Sequence, residues 1–253
     1  MSFNLKSIQK GVVVTPPRLL IFGPHGTGKT TFASEAPNPI LLPTEDGRGR
    51  LDIASFPIAK TYADVCEAIG TLLNEDHDYQ TLAIDSIDWL EPIIWAEACR
   101  RNGWADIETP GYGRGYIAAV DVWRELFNGL VALRESKGMQ LILIAHTDIK
   151  VFNDPANEPY DRYLVKLQPR AAALVQEFCD AVFFINFRTS TTKTDKGFKK
   201  FVTRGVGHGE RVAYTEERPS HYAKSRYDMP AEISLPKGGS YAAIAKHIFP
   251  TNA

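Results

Sequence analysis

Short apolar runs alternate along this chain with stretches whose apolar positions recur every three or four residues, a change of period that separates buried strands from amphipathic helices. Residues 19–22, 40–42, 81–84 and 140–145 read as strands, and 140–145, the most apolar, is expected at the centre of a sheet. Helices are expected at 29–36, stopped by Pro37, and at 61–74, where Val65, Ala68, Ile69, Leu72 and Leu73 share a face and Thr61 with Asp64 forms the capping pair. Further helices are expected at 88–101, where Pro92 is tolerable only in the first turn, and at 117–136, along Val120, Trp123, Phe127, Leu130 and Leu133. A short helix over 241–248 closes the chain. Strands and helices in alternation predict an α/β fold, a mainly parallel sheet with helices on both faces. Runs at 181–187 and 198–203, around Asp195, Lys196 and Gly197, add an antiparallel hairpin extension. Residues 148–168, with Pro155 and Pro159, read as a long irregular segment. Residues 1–16 read as an N-terminal arm with an edge strand at 11–14, and 17–253 as one domain without repeats or linker.

The first strand runs straight into the pattern G-x-x-x-x-G-K-[ST], here Gly23, Pro24, His25, Gly26, Thr27, Gly28, Lys29 and Thr30. A glycine-rich loop between a strand and a helix turns successive N–H groups inward, which suits a polyphosphate. Lys29 is then placed for the β and γ phosphates and Thr30, with Thr31 beside it, for a Mg²⁺ ion. The other strands bring polar groups to the same edge, because the carboxyl ends of parallel strands face one crevice. Glu45 follows the second strand and reads either as a base that poises water or as part of a solvated acidic turn, with Asp46 as the alternative base. Asp85 ends the third strand, as a metal-shell carboxylate or a helix cap, and His146 ends the fourth, as a γ-phosphate sensor or a structural histidine.

The formal net charge of −1 excludes a globally basic nucleic-acid surface, so any such contact must come from local patches. Two patches stand out. Residues 102–116 interleave Trp104, Tyr112 and Tyr116 with Arg114 among four glycines, a composition that fits either base stacking or aromatics packed on the domain. Between Arg188 and Arg204 lie Lys193, Lys196, Lys199 and Lys200 against the single acid Asp195, while Lys150 and Lys166 fall in the irregular segment. No run is long enough to span a membrane and residues 1–10 lack a signal-peptide core, so a cytoplasmic protein is expected. Cys66, Cys99 and Cys179, unpaired in spacing, are expected to be buried free thiols.

Taken together, GPHGTGKTTFA, TLAIDSID and LILIAHT, with Glu45 between them and GYGRGY after them, resemble the RecA-like P-loop ATPase core. More narrowly they resemble the phage-encoded, single-domain RecA-like ATPases of single-strand annealing and recombination, over residues 17–230. That resemblance implies ATP and Mg²⁺ as cofactors, single-stranded DNA as partner, homo-oligomers with ATP at subunit interfaces, and a host single-strand-binding protein as a further partner. Two departures are visible: His146 stands where RecA itself has glutamine, and no separate N- or C-terminal DNA-binding domain is expected from this sequence. Lys224, Ser225 and Arg226 are similar to the K-x-R element by which DnaB-like helicases and RadA-like proteins reach a neighbour's γ-phosphate, which keeps a helicase or helicase-loader role open. A small-molecule phosphotransferase shares the phosphate loop and is the alternative from another class. TKTD at 192–195 fits a guanine-reading pattern, but the D-x-x-G partner is missing after Asp85, so it reads as coincidence.

Overall fold

The computed structural model describes residues 4, 8, 10, 11, 14–155, 158–195 and 201–249, with backbone alone at 189–195 and 201–208. Strand β1 (Arg18–Gly23) is buried on both faces after its first residue, as a strand between two helical layers must be. Its side chains alternate. Leu20 and Phe22 enter one apolar cluster, whereas Leu19 and Ile21 enter the other. Helix α1 (Lys29–Ser34) follows, then β2 (Pro39–Pro43), the two-residue β3 (Ala54–Ser55), α2 (Tyr62–Asn74), β4 (Thr81–Asp85) and α3 (Ile87–Asn102). Helix α4 (Arg114–Ser136) leads into the long β5 (Gln140–Phe152), which returns as β6 (Tyr160–Val165) before α5 (Pro169–Phe178). Strands β7 (Ala181–Asp195) and β8 (Phe201–Tyr214) form a hairpin, and the short β9 (Lys224–Ser225), β10 (Glu232–Ser234) and α6 (Ser240–Ile248) complete the described chain.

The sheet order is β10-β8-β7-β1-β5-β4-β2-β3, with β6 on β5 and β9 on β7. From β7 to β3 every neighbouring pair is parallel, and the hairpin β7–β8 and the strand β10 are antiparallel to their neighbours. Helices α2, α3, α4 and α5 cover one face, and α1 with α6 the other. The α/β architecture expected from the sequence, a mainly parallel sheet flanked by helices with an antiparallel hairpin extension, is therefore observed. So is the capping box of α2: Asp64 N–H donates to Thr61 Oγ1 while Thr61 N–H donates to the Asp64 carboxylate.

Several local expectations need correction. Residues 148–168 are not an irregular segment. The run Thr147–Phe152 pairs antiparallel with Tyr160–Val165. His146 accordingly lies inside β5 rather than at its end. Helix α4 begins at Arg114 rather than at 117, because Gly111 and Gly113 adopt left-handed φ of 68° and 69° and turn the chain into it. Pro92 lies beyond the first turn of α3, so the Asp88 carbonyl loses its intrahelical donor. Cys66 is exposed, whereas Cys99 and Cys179 are buried, and all are free. The expected edge strand at 11–14 falls partly on undescribed residues, as do Lys196, Lys199 and Lys200. Among the described residues no helix is long and apolar enough to cross a membrane.

Candidate active site

Gly23 ends β1 where the carbonyl of Ile185 in β7 presses against it: a Cβ there would stand 2.1 Å from that oxygen. Glycine is required by this close approach, while Gly26 and Gly28 are required by φ of 76° and 84°. Between them Thr27 Oγ1 donates to the Pro24 carbonyl at 2.9 Å, closing the loop on itself. Lys29 is buried, and its Nζ donates to the carbonyls of Gly23 and Pro24, each at 2.9 Å. Burial holds its pKa below the ordinary lysine value, against the pull of Asp85, Asp88 and Glu45. The ammonium thus lies within the loop, beside a pocket of about 430 Å³ that also takes in His25, Thr30, Thr31, Glu45 and Asp85.

Strand order brings the other groups in. Because β5 lies between β1 and β4, with Gly23 level with His146 and Asp85 level with Ile144, the ends of β1 and β4 and the middle of β5 border one crevice. Thr30 Oγ1 donates to Asp85 Oδ2 at 2.6 Å. Burial raises the Asp85 pKa, and the hydrogen bond from Thr30 opposes that rise. A hydroxyl and a carboxylate oxygen meeting in this way are hard donors of the kind Mg²⁺ takes, so Thr30 and Asp85 fit the metal expected of them. Glu45 leaves the end of β2 and accepts from Ser86 Oγ at 2.6 Å; Ser86 is itself held by Thr44, whose Oγ1 donates to the Ser86 carbonyl at 2.6 Å and accepts from Ser86 N–H at 2.9 Å.

His146 is locked from two directions. Its backbone N–H donates to Asp88 Oδ1 at 3.0 Å and its Nδ1 lies 3.0 Å from Asp88 Oδ2, which leaves Nε2 as its free nitrogen. Burial works against the Asp88 charge, but the bonds from the His146 side chain and backbone outweigh it and keep the carboxyl below its ordinary pKa. The His25 ring stacks on His146 at 3.9 Å, and the nearby imidazole, then burial, hold the His25 pKa low. His146 Nδ1 also stands 3.8 Å from Glu45 Oε1. Lys29, Thr30, Glu45, Asp85 and His146 therefore line one pocket, as their spacing predicts. Asp88, Ser86 and Thr44 were not foreseen: read singly, they look like cap and turn residues, and only the pairing of β2, β4 and β5 gives them partners.

Behind His146, Asp88 also borders a groove of about 520 Å³ lined by Trp89, Glu91, Trp95, Asp148, Lys150, Lys166 and the start of α5 at Pro169. Trp89 is 52% exposed there. Lys150 lies beside Asp148 at 3.3 Å, and Lys166 stands 4.0 Å from Asp88 Oδ2. The aromatic loop is divided in its roles. Tyr112, at φ 51°, is 99% exposed at the loop tip, and Arg114 beside it is exposed. Tyr116 instead packs edge-on against Trp95 at 5.4 Å and gives its hydroxyl to Glu108, so it belongs to the wall of the domain. Lys193 lies on β7 with its side chain outside the described residues.

Lys224 and Arg226 sit elsewhere. Lys224 pairs in β9 with Val182, and Arg226 Nη1 donates to Asp180 Oδ1 at 3.0 Å; Arg18, at the start of β1, bonds the same carboxylate. This cluster marks the opposite end of the sheet from the phosphate loop, about 17 Å away along β1. Within one subunit neither side chain reaches the pocket.

Among curated proteins the chain is similar to the SPbeta prophage-derived uncharacterized protein YorG of Bacillus subtilis (strain 168), with 23% identity over 230 residues; the match covers 87% of this chain but 60% of that protein's length. Among solved structures it is similar to the RadB recombinase, at 15% identity and a TM-score of 0.48, covering 89% of this chain and 90% of the other. The AAA domain family matches residues 15–227, which run from just before β1 through β9 and include the phosphate loop, Glu45, Asp85 and His146. With that span and that pocket, this chain belongs to the AAA domain family of P-loop proteins.

Proposed function

We propose that this protein is a Mg²⁺-dependent ATPase that acts on single-stranded DNA in recombination or strand annealing, as an oligomer with ATP at its subunit interfaces. The observation that carries the reading is that one carboxylate, Asp88, is shared between the nucleotide pocket, through His146, and a groove of exposed tryptophan and lysines. Aromatic faces and cations in one groove suit stacked bases and their phosphates. The exposed Tyr112 and Arg114 form a second contact of the same chemistry.

In the pocket, Lys29 is placed to leave the loop carbonyls for phosphate oxygens, exchanging neutral acceptors for charged ones. Thr30 and Asp85 would hold Mg²⁺, which when bound neutralises charge on the phosphate oxygens. Glu45, fixed by Ser86, orients and deprotonates the attacking water. His146, its Nδ1 committed to Asp88, offers Nε2 toward the terminal phosphate, the role glutamine has in the RecA relatives that the motifs resemble.

The test is ATP turnover by purified protein with and without single-stranded DNA over a salt series. Stimulation by DNA that fades with salt is expected, since phosphate contacts release counterions, and Trp89→Ala should weaken DNA affinity by roughly 1–3 kcal/mol if a base stacks there. Turnover with no DNA binding at low salt removes the DNA reading and favours the phosphotransferase. A helicase or helicase loader would instead show strand separation or delivery of a helicase by the same preparation.

A further inference from the structure

His25 is the one aromatic side chain of the phosphate loop, set between Pro24 and Gly26. Its ring lies on that of His146, with centroids 3.9 Å apart and planes 26° from parallel. His25 is exposed while His146 is 8% exposed, so an outer ring covers one face of a buried one. The loop holds the outer ring in place. Pro24 before it has a restricted φ, Gly26 after it turns left-handed at φ 76°, and the Thr27 hydroxyl closes the turn by donating to the Pro24 carbonyl at 2.9 Å. The same carbonyl accepts from Lys29 Nζ at 2.9 Å. His25 therefore stands at the tip of a turn whose closing oxygen is also a partner of the phosphate-binding lysine.

His146 needs a support of this kind. Asp88 engages its Nδ1 at 3.0 Å, and Glu45 Oε1, 3.8 Å away, faces the same nitrogen. An imidazole held by one edge can still tilt about that contact, and a tilt displaces the opposite nitrogen, Nε2, the most. A flat group against one face blocks the tilt. Charge permits the close packing, since the His146 imidazole, then burial, hold the His25 pKa below its ordinary value and keep the outer ring neutral.

We propose that His25 is a positioning residue for hydrolysis: by stacking on His146 it fixes the plane in which Nε2 meets the terminal phosphate of the nucleotide. This rests on the reading of His146 as the group that faces that phosphate. The shared carbonyl ties the ring to the lysine as well. When Lys29 leaves for phosphate oxygens, the Pro24 carbonyl loses one of its two donors, so the arrival of nucleotide at the lysine reaches the turn that carries His25, and through the stack it reaches His146.

The experiment measures steady-state ATP turnover, and ATP affinity by equilibrium titration, both with Mg²⁺, for the full chain as wild type, His25→Ala, His25→Phe and His146→Ala. His25→Ala is expected to lower kcat by about ten- to a hundred-fold, the scale of a misaligned reacting group. Its ATP affinity is expected to stay within about two-fold of wild type, a change too small to count as a lost contact. His25→Phe restores a flat ring without a ring nitrogen and is expected to recover most of the lost turnover. A loss that phenylalanine does not recover makes His25 a direct phosphate contact and overturns the proposal. So does a normal kcat in His25→Ala, or a parallel loss of affinity and kcat, the mark of a damaged loop. An unchanged kcat in His146→Ala removes the terminal-phosphate reading of His146 itself, and the positioning role with it. The stack is also tested without turnover: in nucleotide-free protein the ring-proton resonances of His146 are expected to move in His25→Ala, because the current of the stacked ring is gone. Resonances that stay in place overturn the proposal.

Discussion

At the residue scale the pocket separates roles that look alike in composition. Asp85 is bonded by Thr30 and sits where a metal would be held, while Glu45 is bonded by a neutral serine and faces the open pocket. Glu45→Gln is expected to keep ATP affinity and to lower turnover by about 10² to 10⁴, the range of a lost general base; hydrolysis at the wild-type rate removes the assignment. Lys29→Ala is expected to lose nucleotide binding outright, measured by equilibrium titration with ATP. Lys29, Thr30 and Asp85 were legible in the sequence because the loop fixes two of them by spacing and a strand ending in aspartate supplies the third. Ser86 and Asp88 were not, because a hydroxyl beside Asp85 and a carboxylate in the first turn of α3 acquire meaning only when β2 and β5 bring Glu45 and His146 against them.

At the scale of elements, α3 carries a buried carboxylate, Glu91, whose partner is the N-cap of α5. Glu91 accepts from the Gln168 N–H at 3.0 and 3.1 Å, yet burial pushes its pKa up to about 7. A carboxyl whose folded value is raised contributes stability at low pH, below its ordinary 4.5, and that contribution is lost as pH rises through about 7. At about 1.36 kcal/mol per pH unit, the ionised group costs the folded state roughly 3 kcal/mol at pH 8 relative to acid conditions. Glu91→Gln keeps an acceptor for Gln168 and never ionises. It is therefore expected to raise the melting temperature at pH 8 and to change it little at pH 5; an equal shift at both values contradicts the argument. Element by element, β1, β2, β4, the first half of β5, the start of β7 and α2 were readable from the apolar pattern, since those positions are in fact buried. The β5–β6 pairing was missed because Pro155 and Pro159 break the pattern at its tip while the exposed Ile149 and Val151 show no buried alternation. Helix α5, which is not among the expected elements, carries a start signal in Pro169 at its first turn, with the Gln168 side chain accepting from the Arg170 N–H.

At the scale of the whole molecule, Lys224 and Arg226 lie across the sheet from the phosphate loop, so any action on ATP must be on a neighbour's. In an oligomer with nucleotide at its interfaces, Arg226→Ala and Lys29→Ala should each be nearly inactive alone, and mixing them should restore part of the turnover at hybrid interfaces. A cation acting in this way is worth about 10³ to 10⁵ in rate. Normal hydrolysis by Arg226→Ala, with activity per subunit unchanged on dilution, would mean that its bond to Asp180 is its whole role. Asp88 has a consequence of another kind. One carboxylate holds His146 in the pocket and faces Lys166 in the groove, so a ligand that draws Lys166 away alters the field on the histidine, and a nucleotide that moves the histidine alters the field on Lys166. Thermodynamic reciprocity then requires the two effects to be one number: whatever factor a groove ligand applies to nucleotide affinity, the nucleotide must apply to the groove ligand.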